Sequence, residues 1–294
     1  MLTYFKLLLT ALFWGGTFIA GRVVSRHIPP FSAAFLRFAM ASAILLVILR
    51  HVEGRLPAVA RKQILPLILL GLTGIFIYNL FFFKGLKFIA AGRAALIVAT
   101  NPILVTLLSA LFLRERVNWL IAVGILFSVM GAGVVITRGN IAELSNGSIG
   151  WGEIYIFGCV LSWVTYSLIG KIVMKALSPL TAVTYSATLG TLALAIPAYF
   201  EGVFQDLLSY SKLEWLSLGY LGLFGVVLGF LWYYEGIKKI GASKASQFIN
   251  FVPISAIVLG FFLLGEPITL SLVTGAALVV TGVYLTNSAK VKST

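Results

Sequence analysis

Ten long apolar runs recur along the 294-residue chain, near residues 4–24, 31–49, 64–83, 92–113, 117–137, 150–171, 180–199, 214–235, 244–264 and 268–287. Each is close to the ~20 residues a helix needs to cross a hydrocarbon core. They are continuous rather than alternating, which favours helices over the shorter two-faced strands of a membrane barrel. Composition agrees, with 60% of residues hydrophobic and 11% charged. A soluble domain carries roughly 25% charged residues to wet its surface. The sequence therefore predicts an all-α integral membrane protein with ten transmembrane helices.

Those runs fall into two copies of one unit. "LFWGGTFIAGR" from Leu12 is answered by "LSWVTYSLIGK" from Leu161, so that Trp14 matches Trp163, Gly21 matches Gly170 and Arg22 matches Lys171. Pro30 matches Pro179 at the same offset of 149. From about Gly71 the offset is 151: "GLTGI" answers "GLFGV", Pro102 answers Pro253, and Glu115 answers Glu266. The loop around 50–63 absorbs the two-residue change. Each unit holds five helices, and an odd number makes the second unit enter the membrane from the opposite side. The predicted fold is thus two inverted five-helix repeats, a construction common among secondary transporters. Residues 1–137 form the first repeat, 138–149 the joint, 150–288 the second repeat and 289–294 a tail.

The net charge of +13 is scattered over short connections rather than gathered on one stripe, which argues against nucleic acid as a partner. Its distribution orients the chain. With both termini in the cytoplasm, Lys6, Arg50, Arg55, Arg61, Lys62, Lys171, Lys175, Lys238, Lys239 and Lys244 lie inside; Arg22, Arg26, Lys84, Lys87, Arg93 and Lys212 lie outside. The bias is clear in the second half and weaker in the first. Cys159 is the only cysteine, so no internal disulfide forms, and His27 and His51 lack metal-site spacing. No cofactor or metal is expected. The first apolar run follows Lys6 as a signal peptide would, yet its copy in mid-chain predicts that it is retained.

The pattern "FWGGTFIAGR" on the first helix and "LRF" on the second resembles the EamA-type branch of the drug/metabolite transporter superfamily. So do "NP…LRE" and "VP…LGEPIT" on helices four and nine, and the likeness runs over the whole chain. The resemblance implies a multi-pass carrier in the cytoplasmic membrane with a central cavity between its halves, commonly exporting amino acids or their relatives.

Polar side chains at membrane depth face the bundle interior, so they mark the candidates for such a cavity. On helix nine Ser243, Gln247 and Asn250 share one face, either as substrate ligands or as interhelical glue. Asn101 precedes Pro102 on helix four, and Pro102 and Pro253 each free a backbone carbonyl, for ligation or simply for a kink. Trp14 and Trp163 sit in mid-helix rather than at headgroup level, where the repeat lets them line opposite walls of one cavity or merely pack. Tyr166 shares the face of Trp163. Tyr78 and Asn79 are adjacent on helix three, so only one can point inward squarely. Arg37 lies two turns inside helix two, where it holds a substrate carboxylate, locks a gate or snorkels outward. Glu115 and Glu266 end helices four and nine as a structural or gating pair. Glu153 and Glu235 lie near span ends as caps or ion-pair partners. Paired glycines (Gly71 with Gly74, Gly222 with Gly225, Gly124 with Gly131, Gly275 with Gly282) provide close-packing faces.

The spans contain no intramembrane acid pair and no HExxH motif, so catalysis has little to work with. An inverted repeat fits alternating access better than a channel built from symmetric subunits. The sequence predicts a secondary-active metabolite transporter with a small-molecule substrate, embedded in the lipid bilayer as a monomer or homodimer. Export of amino acids or related amphipathic compounds is the leading expectation; uptake or exchange of another small metabolite or drug-like compound is the alternative, and a membrane scaffold or channel is the non-transport alternative.

Overall fold

The computed structural model describes residues 2–113, 119–137, 139 and 150–288, and these are helical without strands. The helices are α1 (Leu2–Val24), α2 (Pro30–Glu53), α3 (Arg61–Phe88), α4 in two pieces (Ala91–Val98 and Asn101–Leu113) and α5 (Trp119–Ile136). They continue as α6 (Trp151–Val173), α7 (Pro179–Phe200), α8 (Lys212–Ile240), α9 in three pieces (Ala242–Ser246, a 3-10 turn Gln247–Phe251, and Val252–Leu264) and α10 (Leu270–Ser288). Eight of these are long and apolar enough to cross a membrane; α5 and α10 carry the shorter apolar stretches Ala122–Val135 and Leu270–Gly282. Among the described residues, each predicted apolar run falls largely on a helix.

Local chemistry sets the boundaries. α2 begins with Pro30 in its first turn, where a missing N–H costs nothing, and ends at Gly54 in the left-handed conformation (φ 71°). Ser178 caps α7 by accepting from the Thr181 N–H at 3.1 Å. Ser211 and Glu214 form a reciprocal capping box at the start of α8.

Two kinds of irregularity interrupt the bundle, and both obey the repeat. α4 breaks at Ala99–Thr100 just before Pro102, and α9 tightens into its 3-10 turn just before Pro253. A proline cannot donate to the carbonyl four residues back. Those carbonyls belong to Val98 and Ile249. α3 and α8 instead widen into π-helix over Gly71–Ile77 and Leu221–Leu228, the segments that carry "GLTGI" and "GLFGV".

The two halves interlock reciprocally. α1 packs on α8 and α9 of the second half, and α6 packs on α3 and α4 of the first. α2 packs on α7, and α5 on α10. Glycines permit the closest crossings: a Cβ on Gly131 would stand 2.7 Å from the Gly275 carbonyl, and one on Gly71 would stand 2.9 Å from the Gly190 nitrogen.

Candidate functional site

A narrow cavity of about 30 Å³ lies where the halves meet, bounded by α1, α2, α3, α4, α6, α8 and α9. Five of the residues singled out in the sequence line it together: Trp14, Arg37, Tyr78, Asn101 and Trp163. Thr17, Phe18, Phe82, Val98, Gly225, Phe230, Ile249 and Val252 complete the wall.

Its frame is aromatic. Trp14 and Trp163 meet edge-to-face, with centroids 5.2 Å apart and planes at 85°. Phe230 stands edge-on to both, and Tyr78 tilts against Trp163 at 5.5 Å. The quadrupoles of such rings favour these tilted contacts over face-to-face stacking. The Trp14 indole N–H donates to the Gly225 carbonyl at 2.9 Å. Gly225 lies inside the π-helical segment of α8, where the widened turn loosens the backbone's own bonding.

Two polar groups stand out within this frame. Arg37 is 3% exposed, and its guanidinium lies over Phe38 at 5.0 Å and over Phe82 and Phe83 at 5.9 Å. Among the described residues no carboxylate pairs with it, and its Nε has no hydrogen-bond partner. Tyr78 lines the same cavity. Asn101 is fully buried at the break in α4, and neither its side-chain nitrogen nor its oxygen is hydrogen-bonded. Buried polar atoms are nearly always satisfied, so unfilled capacity in a cavity wall marks a place where a ligand gains most.

The remaining candidates lie elsewhere. Tyr78 and Asn79 part as their adjacency requires. Tyr78 lines the cavity, whereas Asn79 is buried behind it and donates to the Ile75 carbonyl at 2.6 Å. Tyr166 stacks on Tyr234 behind Trp163 and faces Ser186, so it supports the wall rather than forming it. Asn250 is buried in the 3-10 turn of α9 and does not line the cavity. The backbone of Ser243 and Gln247 is helical, but their side chains, like all of Glu115, lie outside the described residues. Pro102 and Pro253 bring Val98 and Ile249 to the cavity, together with Asn101 and its repeat equivalent Val252, and the Ile249 carbonyl accepts from the Val252 N–H. Glu266 instead caps the start of α4, accepting from the Ala91 N–H at 3.0 Å and the Gly92 N–H at 3.4 Å.

The apolar lining could not be told from lipid-facing positions in the sequence, because both read as plain hydrophobic residues. Gly225 had a signal: it stands in the repeated glycine motif, where the π-helix forms.

The EamA-like transporter family model matches residues 1–137 and again 150–288. "Uncharacterized transporter YyaM" from Bacillus subtilis is 35% identical over 95% of this chain and 92% of its own. An "Uncharacterized transporter" of Archaeoglobus fulgidus is 31% identical, covering 97% of this chain and 98% of its own. The "Probable terminal-alkyne amino-acid exporter" of Streptantibioticus cattleyicolor is 29% identical over 96% of this chain and 92% of its own. A solved crystal structure superposes with a TM-score of 0.68 at 20% identity, covering 97% of both chains, which speaks to the fold alone. The sequence, its helical bundle and its relatives agree: this multi-pass membrane protein is a transporter rather than an enzyme, and it belongs to the EamA-like transporter family.

Proposed function

We propose that the chain is a secondary-active carrier in the cytoplasmic membrane that exports amino acids or related small amphipathic metabolites by alternating access. In this reading ten helices cross the membrane as two inverted five-helix units, with both termini in the cytoplasm. The observation that carries the proposal is a cavity lined by both halves, with the repeat-paired Trp14 and Trp163 in contact across it. Rocking one half against the other would expose that cavity to each side in turn.

Trp14, Trp163 and Tyr78 would contact the apolar body of the cargo, and Arg37 and Asn101 its polar head. Tyr166, Asn79, Gln247 and Asn250 would hold the wall or the broken turn of α9 behind them. Pro102 and Pro253 would let α4 and α9 flex, and Glu266 would tie the start of α4 to the second half. Amino-acid cargo draws its support from the named function of the Streptantibioticus relative. The sequence has no nucleotide-binding motif, so the energy would come from a solute or proton gradient or from exchange. The bilayer is the required partner, and the functional unit is a monomer or a homodimer.

Counterflow in proteoliposomes tests the reading. Purified protein is preloaded in turn with amino acids, organic acids, amines and sugars, and uptake of the labelled counterpart is followed. Saturable accumulation of one class is expected. Flat traces across the panel, from protein that is folded and monodisperse, would overturn it.

A further inference from the structure

The cavity carries one charge, and it is positive. Arg37 is the only charged side chain among the lining residues, and none of the described carboxylates pairs with it. The repeat makes this one-sided. Ser186 stands at the position equivalent to Arg37, Val252 at that of Asn101 and Gly229 at that of Tyr78. The first half therefore supplies Arg37, Tyr78 and Asn101, whereas the rings come from both halves: Trp14, Phe18 and Phe82 from the first, Trp163 and Phe230 from the second. The polar groups form one cluster set in an aromatic frame.

The backbone does not decide the sign of the ligand. At the break in α4 the Thr100 carbonyl accepts from the Ile103 and Leu104 N–H groups, and the Ile97 carbonyl accepts from the Thr100 N–H. Arg37 decides it. We infer, on the reading of the chain as a carrier, that its cargo is a small apolar monoanion, a carboxylate without an ammonium group, held by Arg37 with Tyr78 and Asn101 against the aromatic wall. A 2-oxo acid or an aryl carboxylate has this chemistry.

The charge of the loaded cavity selects among ligands. A monoanion bound at Arg37 leaves the occluded complex neutral. A zwitterion leaves it with a net positive charge, and a cation with two. Net charge in a low-dielectric interior is heavily penalised, which is why buried charges are paired. The faces of Trp14 and Trp163 can bind an ammonium group, but here they share one small cavity with a like charge.

Three probes of near-equal shape and different charge test this: phenylpyruvate, phenylalanine and phenethylamine, each in counterflow at neutral pH with the wild-type protein. Phenylpyruvate is expected to exceed phenylalanine at least tenfold in kcat/KM, with no saturable flux of the amine. Arg37→Gln should lower phenylpyruvate flux at least tenfold, with Arg37→Lys partly restoring it. Should the Gln variant not fold, ligand-induced shifts in the melting temperature of the wild type give the same ranking. Phenylalanine equal to or better than phenylpyruvate would overturn the inference and leave the carrier standing. Silence for all three probes, together with flat traces for the wider solute panel, would remove the carrier reading and the inference with it.

Discussion

A polar residue in an apolar run advertises that it faces protein, but not which protein surface it faces. Asn79, Asn101 and Asn250 are all buried, yet only Asn101 lines the cavity. The rings were more legible, because the repeat paired Trp14 with Trp163, and a pair placed at mid-helix in two halves has one natural meeting point. Small residues follow the same logic. Gly74 lies against the ring of Tyr166, and a Cβ there would overlap it, whereas Gly133 has open space where a Cβ would go. Gly74→Ala should therefore force Tyr166 off its stack on Tyr234 and cost about 1–3 kcal/mol, as overpacking a filled site does. Gly133→Ala should leave the melting temperature in detergent within error of the wild type. Equal melting temperatures for both variants would show that the Tyr166 wall yields freely.

At the scale of elements, the sequence marked the proline breaks in α4 and α9 but not the π-helical turns of α3 and α8. The reason is physical. Proline removes a donor wherever it stands, whereas a π turn is chosen by packing around an otherwise ordinary helix, here around paired glycines. The breaks bear on motion. If the turn before Pro253 is a hinge, restoring the missing N–H should stiffen it. Pro253→Ala is expected to keep or raise the melting temperature by a few degrees while slowing the initial rate of counterflow several-fold. A drop in melting temperature with unchanged flux would make the proline a packing residue. Glu266 gives a second test at this scale. Its carboxylate accepts from the first two N–H groups of α4 across the boundary between halves. Glu266→Gln keeps the shape but loses the charge-assisted part of the cap, about 0.5–2 kcal/mol, measurable as a lower denaturation midpoint.

For the whole molecule, the two ends of the bundle are tied by different pairs. Beyond one end of α1, His27 meets Glu214 at 2.9 Å, and near the start of α6 Arg93 meets Glu153 at 2.7 Å. At the other end of α1, Lys6 meets Glu235 at 2.8 Å, and Ser178 donates to Glu53 at 3.0 Å. Each pair joins the first half to the second, and each joins residues that the distribution of cations assigns to one face. On the proposed inverted arrangement Lys6 and Glu235 fall on one side of the membrane, whereas direct repeats would assign them to opposite sides. Labelling makes the distinction measurable. Cys159 is buried and is the only cysteine, so the wild type should react poorly with an impermeant maleimide. His27→Cys and Lys212→Cys are expected to label from outside intact cells. Arg50→Cys and Lys175→Cys, also exposed, should label only after permeabilisation. Because 27 and 212 lie in different halves, and 50 and 175 likewise, the four sites report the orientation of each half separately. Labelling of 27 and 212 from opposite sides would overturn the inverted arrangement, while reversal of all four together would keep it and move both termini outside.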